Sequence, residues 1–279
     1  MRRFGIVIVG DEILSGRRAD KHLSKVIELL SARGLQLSWA QYVGDDRAAI
    51  AAVLERTFAS DDVVFVTGGI GATPDDQTRQ AVAEALGVEI APHAEAEQLI
   101  QARIARMNAE AGTPPLPLDS PEHRQRMRMG EFPVGAAIIP NPYNQIPGFF
   151  VRDHYFVPGF PVMAWPMLEW VLDTRYAGLF HHAPRVERSV LVFDTPESRV
   201  TPLMERIEAE FDGIKVFSLP SVGDAAAASS DDARIAMRAK RHIELGVKGA
   251  SDRVDAAFAA LEAGLAQIDV PFVRADDAS

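Results

Sequence analysis

Val63–Val66 is a run of apolar residues that empties into TGGIGATP, Thr67 to Pro74, and two carboxylates, Asp75 and Asp76, follow at once. Glycines carry no Cβ, so backbone N–H groups can approach a ligand closely, and the start of a following helix favours negative charge. That combination suits a phosphate. A carboxylate beside a phosphate repels it unless a cation lies between them. Asp75 and Asp76 next to such a loop therefore point to a hard divalent ion shared by carboxylates and phosphate oxygens. The plainer alternative is a tight strand-to-helix turn in which the aspartates cap the helix. One aspartate can also cap while the other binds the metal.

Two further stretches carry the same residue types. GDEILSG supplies Gly10, Asp11, Glu12 and Ser15, and VGDD supplies Asp45 and Asp46. The elements around them explain why they belong together. Phe4–Val9 reads as a strand buried on both faces, and GDEILSG as the loop that leaves it. Leu23, Val26, Ile27 and Leu30 then recur at helical spacing, with Asp20 as start signal and Gly34 as stop. A second strand, LQLSWAQYV, breaks at VGDD. Ile50, Val53, Leu54 and Phe58 mark a second helix. Val63–Val66 is a third strand, and Asp75 and Asp76 can cap a third helix that buries Ala81, Val82, Ala85 and Leu86 and stops at Gly87. Strands alternating with helices imply a mainly parallel sheet with helices on both faces. Ligands bind beyond the carboxyl ends of such strands, and all three loops lie at those ends.

Beyond a helix around Ala94–Ala111 comes a proline-rich connector, TPPLPLDSP. HRQRMRM follows, with Arg124, Arg126 and Arg128 alternating along a strand or spread around a helix. The default for such a run is a solvated basic face. The functional reading gives Arg128 a phosphate for its fork of donors. AAIIPNPYNQIPGFF and VRDHYFVPGFP read as strands joined by turns, with Arg152-Asp153-His154 as a hairpin tip, and a helix spans Val162–Asp173. Trp165, Trp170, Met163 and Met167 belong to a core or a subunit interface. From about Arg185 the rhythm changes to strand (SVLVFDTPES), helix (VTPLMERIEAEF), strand (IKVFSLP), an exposed loop (GDAAAASSDDA), strand (HIELGVKG) and an amphipathic helix with Val254, Phe258, Leu261 and Leu265. The end, ADDAS, reads as frayed.

With 47% hydrophobic and 24% charged residues over 279 positions, the chain has a globular composition and enough length for one large or two smaller cores. No apolar run is long enough to span a membrane, and the first strand lacks the features of a signal peptide. A net charge of −10 argues against a nucleic-acid binder and requires local help for any anionic ligand. The absence of cysteine excludes disulfides and thiolate chemistry and fits a cytoplasmic setting.

The order GDEILSG, VGDD, TGGIGATPDD, PNPYNQIPGF, VPGFP resembles the CinA-like family, whose amino-terminal fold is shared with molybdopterin-binding proteins of the MoaB/MogA/MoeA group. The similarity is ungapped through much of the first 90 residues and continues to about Leu172. DTPES, FSLPS and HIELGVKG look like the small middle domain of CinA-like proteins. The resemblance implies a three-layer α/β molybdopterin-binding-like domain over residues 1–175 and a small α+β domain over 185–270. It implies a homo-oligomer. It also implies a phosphate-bearing nucleotide or pterin as ligand, with molybdopterin as one candidate.

Carried onto this chain, Gly68, Gly69 and Gly71 are the phosphate loop, Asp76 is the motif aspartate and Asp45 the acid after the second strand. These two are the candidate catalytic residues and the candidate ligands for Mg²⁺, Mn²⁺ or Co²⁺. Gly10, Asp11, Glu12, Ser15, Thr73, Arg128, Asn141, Pro158 and Gly159 complete the candidate ligand site. Three departures fall where ligand contacts are expected. His22 stands where the family has asparagine, Asn144-Gln145 where it has Gly-Thr, and Phe160 where it has proline. His22 is open to two readings, a donor to a phosphate or a solvated first-turn residue. Longer CinA-like proteins carry a carboxy-terminal amidase acting on nicotinamide mononucleotide, and the residues after Ile268 leave no room for one, so no deamidase activity is expected. The expected activity is metal-dependent cleavage of a dinucleotide pyrophosphate such as ADP-ribose or FAD. The alternatives are a molybdopterin- or nucleotide-binding protein without catalysis, and a nucleotidyl transferase of molybdenum cofactor synthesis.

Overall fold

A computed structural model of the chain describes residues 2–114, 117–181, 185–223 and 240–276. Pro115 and Leu116 of the proline-rich connector, nearly all of GDAAAASSDDA and the last three residues of ADDAS lie outside the described residues. The chain forms two compact units, Met1–Phe180 and His181–Ser279.

The first unit is built on a six-stranded sheet. Its strands are β1 (Phe4–Val9), β2 (Leu37–Val43), β3 (Val63–Thr67), β6 (Ala137–Ile139), β7 (Gly148–Val151) and β8 (His154–Val157), in the order β2-β1-β3-β8-β7-β6. β2, β1, β3 and β8 are mutually parallel, and β7 runs against its neighbours. A two-stranded ribbon of β4 (Ile90–Pro92) and β5 (Glu131–Pro133), not expected from sequence, stands beside it.

Every residue of β1 and β3 is buried, as their continuous apolar runs require. Successive side chains serve opposite faces. Phe4, Ile6, Ile8 and Phe65 pack against α2 (His22–Ser31) and α7 (Pro161–Arg175). Val7, Val9, Val64 and Val66 pack against α3 (Arg47–Phe58), α4 (Thr78–Leu86) and α5 (Ala94–Ala111). Each fully buried aliphatic or aromatic side chain contributes about 1.5–3 kcal/mol of transfer free energy, so the two faces fix the sheet between helical layers. Met167 is buried in the first of these cores, and Trp165 and Trp170 pack against it while partly exposed.

Three expectations change in detail, and the open choice between strand and helix for HRQRMRM is decided. Asp11–Leu14, read as loop, is one helical turn, α1. Helix α4 begins at Thr78, so Asp75 and Asp76 precede it and cap nothing on it. HRQRMRM is helical: α6 spans Pro121–Met127, where Arg126 pairs with Glu122 at 2.7 Å, and Arg128 enters a 3₁₀ turn. His154 is not at the hairpin tip. Arg152 and Asp153 turn the chain, with Arg152 at φ 54°, and His154 opens β8 as a buried residue.

The second unit pairs β9 (Arg185–Phe193), β10 (Lys215–Ser221), β11 (His242–Ala250) and a short β12 (Phe272–Arg274) in an antiparallel sheet of order β10-β11-β9-β12. Helices α8 (Glu197–Glu210) and α9 (Ser251–Gln267) bury Val200, Leu203, Ile207, Val254, Phe258, Leu261 and Leu265 against it. No helix of the described residues is long and apolar enough to cross a membrane.

His154 generates a testable pH dependence. Thr57 Oγ1 donates to the Leu54 carbonyl, so His154 Nε2, 2.9 Å away, is the donor to Thr57. Burial disfavours the charged ring and lowers its pKa from 6.5 to about 4. The unfolded chain therefore binds the extra proton first, and stability falls as pH drops from 6.5 towards 4. The loss totals roughly 3 kcal/mol over that window. Urea titrations at stepped pH should show this slope in the wild type and a flattened slope in His154→Gln.

Candidate functional site

Because β2, β1, β3 and β8 are parallel neighbours, the loops leaving their carboxyl ends share one edge of the sheet. Residues 10–16, 44–46, 68–77 and 158–160 form that edge. Gly10 N donates to Val43 O at 3.0 Å, and Gly68 N to Val157 O at 3.0 Å, tying adjacent loops together. Glycine is required where the backbones meet. Gly68 has φ 100°, and a Cβ there would sit 2.3 Å from Val9 O. Gly69 has φ 68°, and its Cβ would sit 2.3 Å from Thr78 Oγ1.

The glycine loop is held by its carbonyls. Thr78 Oγ1 donates to Gly68 O at 3.0 Å, and Thr78 N to Gly69 O at 2.9 Å. Arg79 reaches the Gly71 carbonyl with Nη2, and Gln125 Nε2 donates to Ala72 O. No N–H of Gly69, Ile70, Gly71 or Ala72 donates to another described residue. Carbonyls turned to the protein and amides left over make a run of donors at the end of β3, the arrangement an anion needs.

Arg79 is the residue that sequence reasoning missed. It is only 3% exposed. Its Nη1 bonds the carbonyls of Arg128 and Glu131, and no carboxylate among the described residues pairs with it directly. Burial lowers its pKa, and the charges of Glu131 and Asp76 oppose that shift. The available signal was its spacing. Arg79 shares a helical face with the buried Val82 and Ala83, an unusual position for a cation that does nothing.

The carboxylates occupy two stations. Asp76 Oδ2 accepts from Thr73 N at 2.8 Å and from Thr73 Oγ1 at 2.5 Å. A Cβ on Gly71 would lie 2.5 Å from the same oxygen, so Asp76 stands against the glycine loop. Asp45 belongs to the neighbouring station. Its Oδ2 accepts from Asp11 N at 2.8 Å, its own N donates to Asp11 Oδ1 at 3.3 Å, and Asp46 caps α3 by accepting from Ala49 N at 2.8 Å. Partial burial raises the Asp45 pKa, one hydrogen bond from Asp11 N opposes this, and the charges of Asp11, Glu12 and Asp75 raise it further. Asp75 thus faces the Asp45 station electrostatically. Among the described residues no group of three or more His, Asp or Glu is arranged to hold a metal alone.

Other expected residues have defined partners. Ser15 Oγ donates to Glu12 O at 3.4 Å on the exposed α1 turn. Asn141 is buried and braces its own loop, bonding Asn144 Oδ1, Ile146 O and Tyr143 N at 2.8–3.0 Å. Asn144 and Gln145 complete that brace, with Gln145 at φ 65°. Arg128 is exposed, and its guanidinium bonds no other described residue. Pro158 and Gly159 follow β8, and the Gly159 backbone lies against Gly68. His22 is 5% exposed, which overturns the solvated reading. Its Nε2 donates to Gly159 O at 3.1 Å. Phe160 is 54% exposed beside it, with the Arg18 guanidinium 5.9 Å from its ring centre.

Residues 5–177 match the family model described as a probable molybdopterin-binding domain. The chain belongs to this molybdopterin-binding-domain family. A CinA-like protein of Citrifermentans bemidjiense is 32% identical over 207 residues, which is 73% of this chain and 47% of that protein. A Pyrococcus furiosus protein is 30% identical over 221 residues, covering 77% of this chain and 84% of its own. The crystal structure of CinA from Thermoplasma acidophilum, a protein of unknown function, superposes with a TM-score of 0.52 at 24% identity, over 62% of this chain and 98% of that one, a likeness of fold. The kinship with CinA-like proteins expected from the motifs is therefore found. The chain spans about half the length of the first CinA-like relatives it matches.

Two expected outcomes test this member of the family. Gly69→Ala should cost at least ~1–2 kcal/mol from its left-handed backbone alone, with the clash at Thr78 added, measured by denaturant unfolding. Asp45→Asn should raise the melting temperature at neutral pH, because it removes a carboxylate whose folded pKa is raised while an amide oxygen can still accept from Asp11. That gain should disappear as pH falls through the Asp45 pKa, where the wild-type carboxyl is itself neutral.

Proposed function

We propose that the protein is a metal-dependent phosphohydrolase acting on the pyrophosphate of a nucleotide-type cofactor such as ADP-ribose or FAD. The observation that carries this reading is the run of amides from Gly69 to Ala72 that donate to no other described residue, in a loop at the same sheet edge as the loops of Asp45, Asp75 and Asp76. A polyphosphate fits the amides, and its charge demands a cation on the acid side.

The residues fit such an ion. Mg²⁺ is held through one or two carboxylates plus substrate phosphates and waters, so no three-residue protein cage is needed. Asp45 and Asp76 are the proposed ligands, with Asp75 at hand. When bound, the ion would offset phosphate charge and make water a better nucleophile. The chain's own part is separate. The Gly69–Ala72 amides hold non-bridging phosphate oxygens as charge develops on them. Of Asp45 and Asp76, the one the ion does not engage accepts the proton of the attacking water. Water adds to phosphorus, the bridging P–O bond breaks, and two monophosphates leave.

A second reading, a molybdopterin- or nucleotide-binding protein without turnover, is favoured by Asn141, which is spent on bracing its own loop. Transfer of a nucleotidyl group onto molybdopterin has no comparable support. A small-molecule nucleotide or pterin phosphate is the partner in each case, and the homo-oligomer is carried as part of the proposal.

ADP-ribose, FAD and NADH offered with Mg²⁺, Mn²⁺ or Co²⁺ should yield mononucleotides, with chelator abolishing release. Asp45→Asn and Asp76→Asn should lower kcat by about 10²-fold or more. Retained ligand without turnover would select the binding reading, and equal inertness of wild type and Asp76→Asn would reject hydrolysis of these compounds.

A further inference from the structure

The parallel strands send the chain to opposite faces of the sheet. β1 and β8 lead on to α2 and α7, whose Val26, Leu29, Ala164 and Met167 pack on the face of Ile8 and Phe65. β3 lies between them and leads to α4, whose Ala81 and Val82 pack on the face of Val64 and Val66. Exit loops that part in this way leave a crevice beyond the strand ends. One wall of it is the glycine loop. Thr78 and Arg79, both on α4, take the carbonyls of Gly68, Gly69 and Gly71. The amides of the loop are therefore turned away from α4, towards the opposite wall.

That opposite wall is made by the chain around Arg18 and by residues 158–160. The Gly159 backbone approaches the Cα and N of Gly68, so this wall meets the glycine loop away from its carbonyls. Phe160 comes next, and its backbone is fixed. Its carbonyl accepts from Met163 N at 3.0 Å and from Ala164 N at 2.9 Å as α7 begins, and the buried His22 holds the Gly159 carbonyl. The ring itself stays 54% exposed. Arg18, from the loop after β1, reaches across the end of β3 to place its guanidinium 5.9 Å from the ring centre. That guanidinium pairs with no carboxylate among the described residues. A rigidly held aromatic ring beside a guanidinium is a form in which proteins stack the planar bases of nucleotides.

Resting on the phosphate-site reading, we infer that Phe160 and Arg18 form the stacking platform for the planar heterocycle of a ligand whose phosphates lie on the glycine loop. The ring supplies a π face, and Arg18 steadies it and adds a cation. Stacking reads flatness rather than a pattern of donors, so adenine, flavin and pterin all suit the platform. Proline, which the family has at this position, offers no such face. A bare diphosphate occupies only half of the site.

The test uses the full chain and two non-hydrolysable probes, the methylene analogue of ADP-ribose and methylene diphosphate, titrated by calorimetry with Mg²⁺. The wild type should bind the nucleotide analogue more tightly. Phe160→Leu keeps the apolar bulk and loses the π face. It should weaken the analogue about tenfold while leaving methylene diphosphate and thermal unfolding unchanged. Phe160→Tyr keeps the ring and should bind both probes as the wild type does. The inference is overturned if the wild type binds both probes equally, if Phe160→Leu binds the analogue as the wild type does, or if Phe160→Tyr is as weak as Phe160→Leu. In each of those cases binding of methylene diphosphate keeps the phosphate-loop reading standing. If neither probe binds the wild type, that reading fails and this one with it.

Discussion

The edge chemistry depends on one constraint: the carbonyls of the Gly68–Ala72 loop must face the protein. A peptide unit has a donor and an acceptor on opposite sides. Tying down the acceptor commits the donor of the following residue to the other side. Thr78, Arg79 and Gln125 do this for four of the five carbonyls of the loop, those of 68, 69, 71 and 72. Arg79 is the least replaceable of them. A guanidinium has five donors, and here it reaches three backbone carbonyls on two segments from a buried position. A neutral side chain of similar size would pack in its place at less desolvation cost, but would let the loop turn its dipoles. The orphaned Arg79 Nε fits that view, since the group is retained at some cost to hydrogen bonding.

Much of this was legible from sequence because it follows from pattern. Fully apolar runs at Phe4–Val9 and Val63–Val66 imply strands covered on both faces, and parallel strands bring their exit loops together. Asp20 could be read as a cap, and it does accept from His22 N and Leu23 N. What could not be read depends on side chains distant in sequence. Asp76 looks like a helix cap, yet it turns back to Thr73 because Pro74 starts a tight turn and leaves the helix to begin at Thr78. His22 looks exposed at a helix start and is buried by the arrival of Gly159 from 137 residues away. Arg128 was noticed for its charge, whereas its backbone carbonyl is what links it to the glycine loop through Arg79.

Departures from the family pattern also gain a physical meaning. Asn144-Gln145 does not loosen its loop. Asn144 takes Asn141 Nδ2 and the Ile146 amide, and Gln145 accepts the left-handed conformation that a glycine would adopt more cheaply. Phe160 adds an exposed ring beside Gly159, with Arg18 over its face. Both changes stiffen or enlarge the rim of the site and leave the Gly68–Ala72 amides untouched.

The charge distribution ties these parts together. A chain with net charge −10 repels polyphosphates at long range, so attraction must be local. The edge divides accordingly. The cations Arg79 and Arg128 lie towards α6, on the side to which the loop turns its carbonyls, while Asp11, Glu12 and Asp75 act on Asp45 near β1 and β2. Neither side is balanced alone, because Asp11, Glu12 and Asp75 raise the cost of ionising Asp45 and Arg79 has no carboxylate partner among the described residues. A cation and a polyphosphate arriving together relieve both imbalances, whereas either one alone relieves only its own side. On the proposed reading, binding of the two should therefore be mutually dependent, and that coupling is built into the separation of the loops.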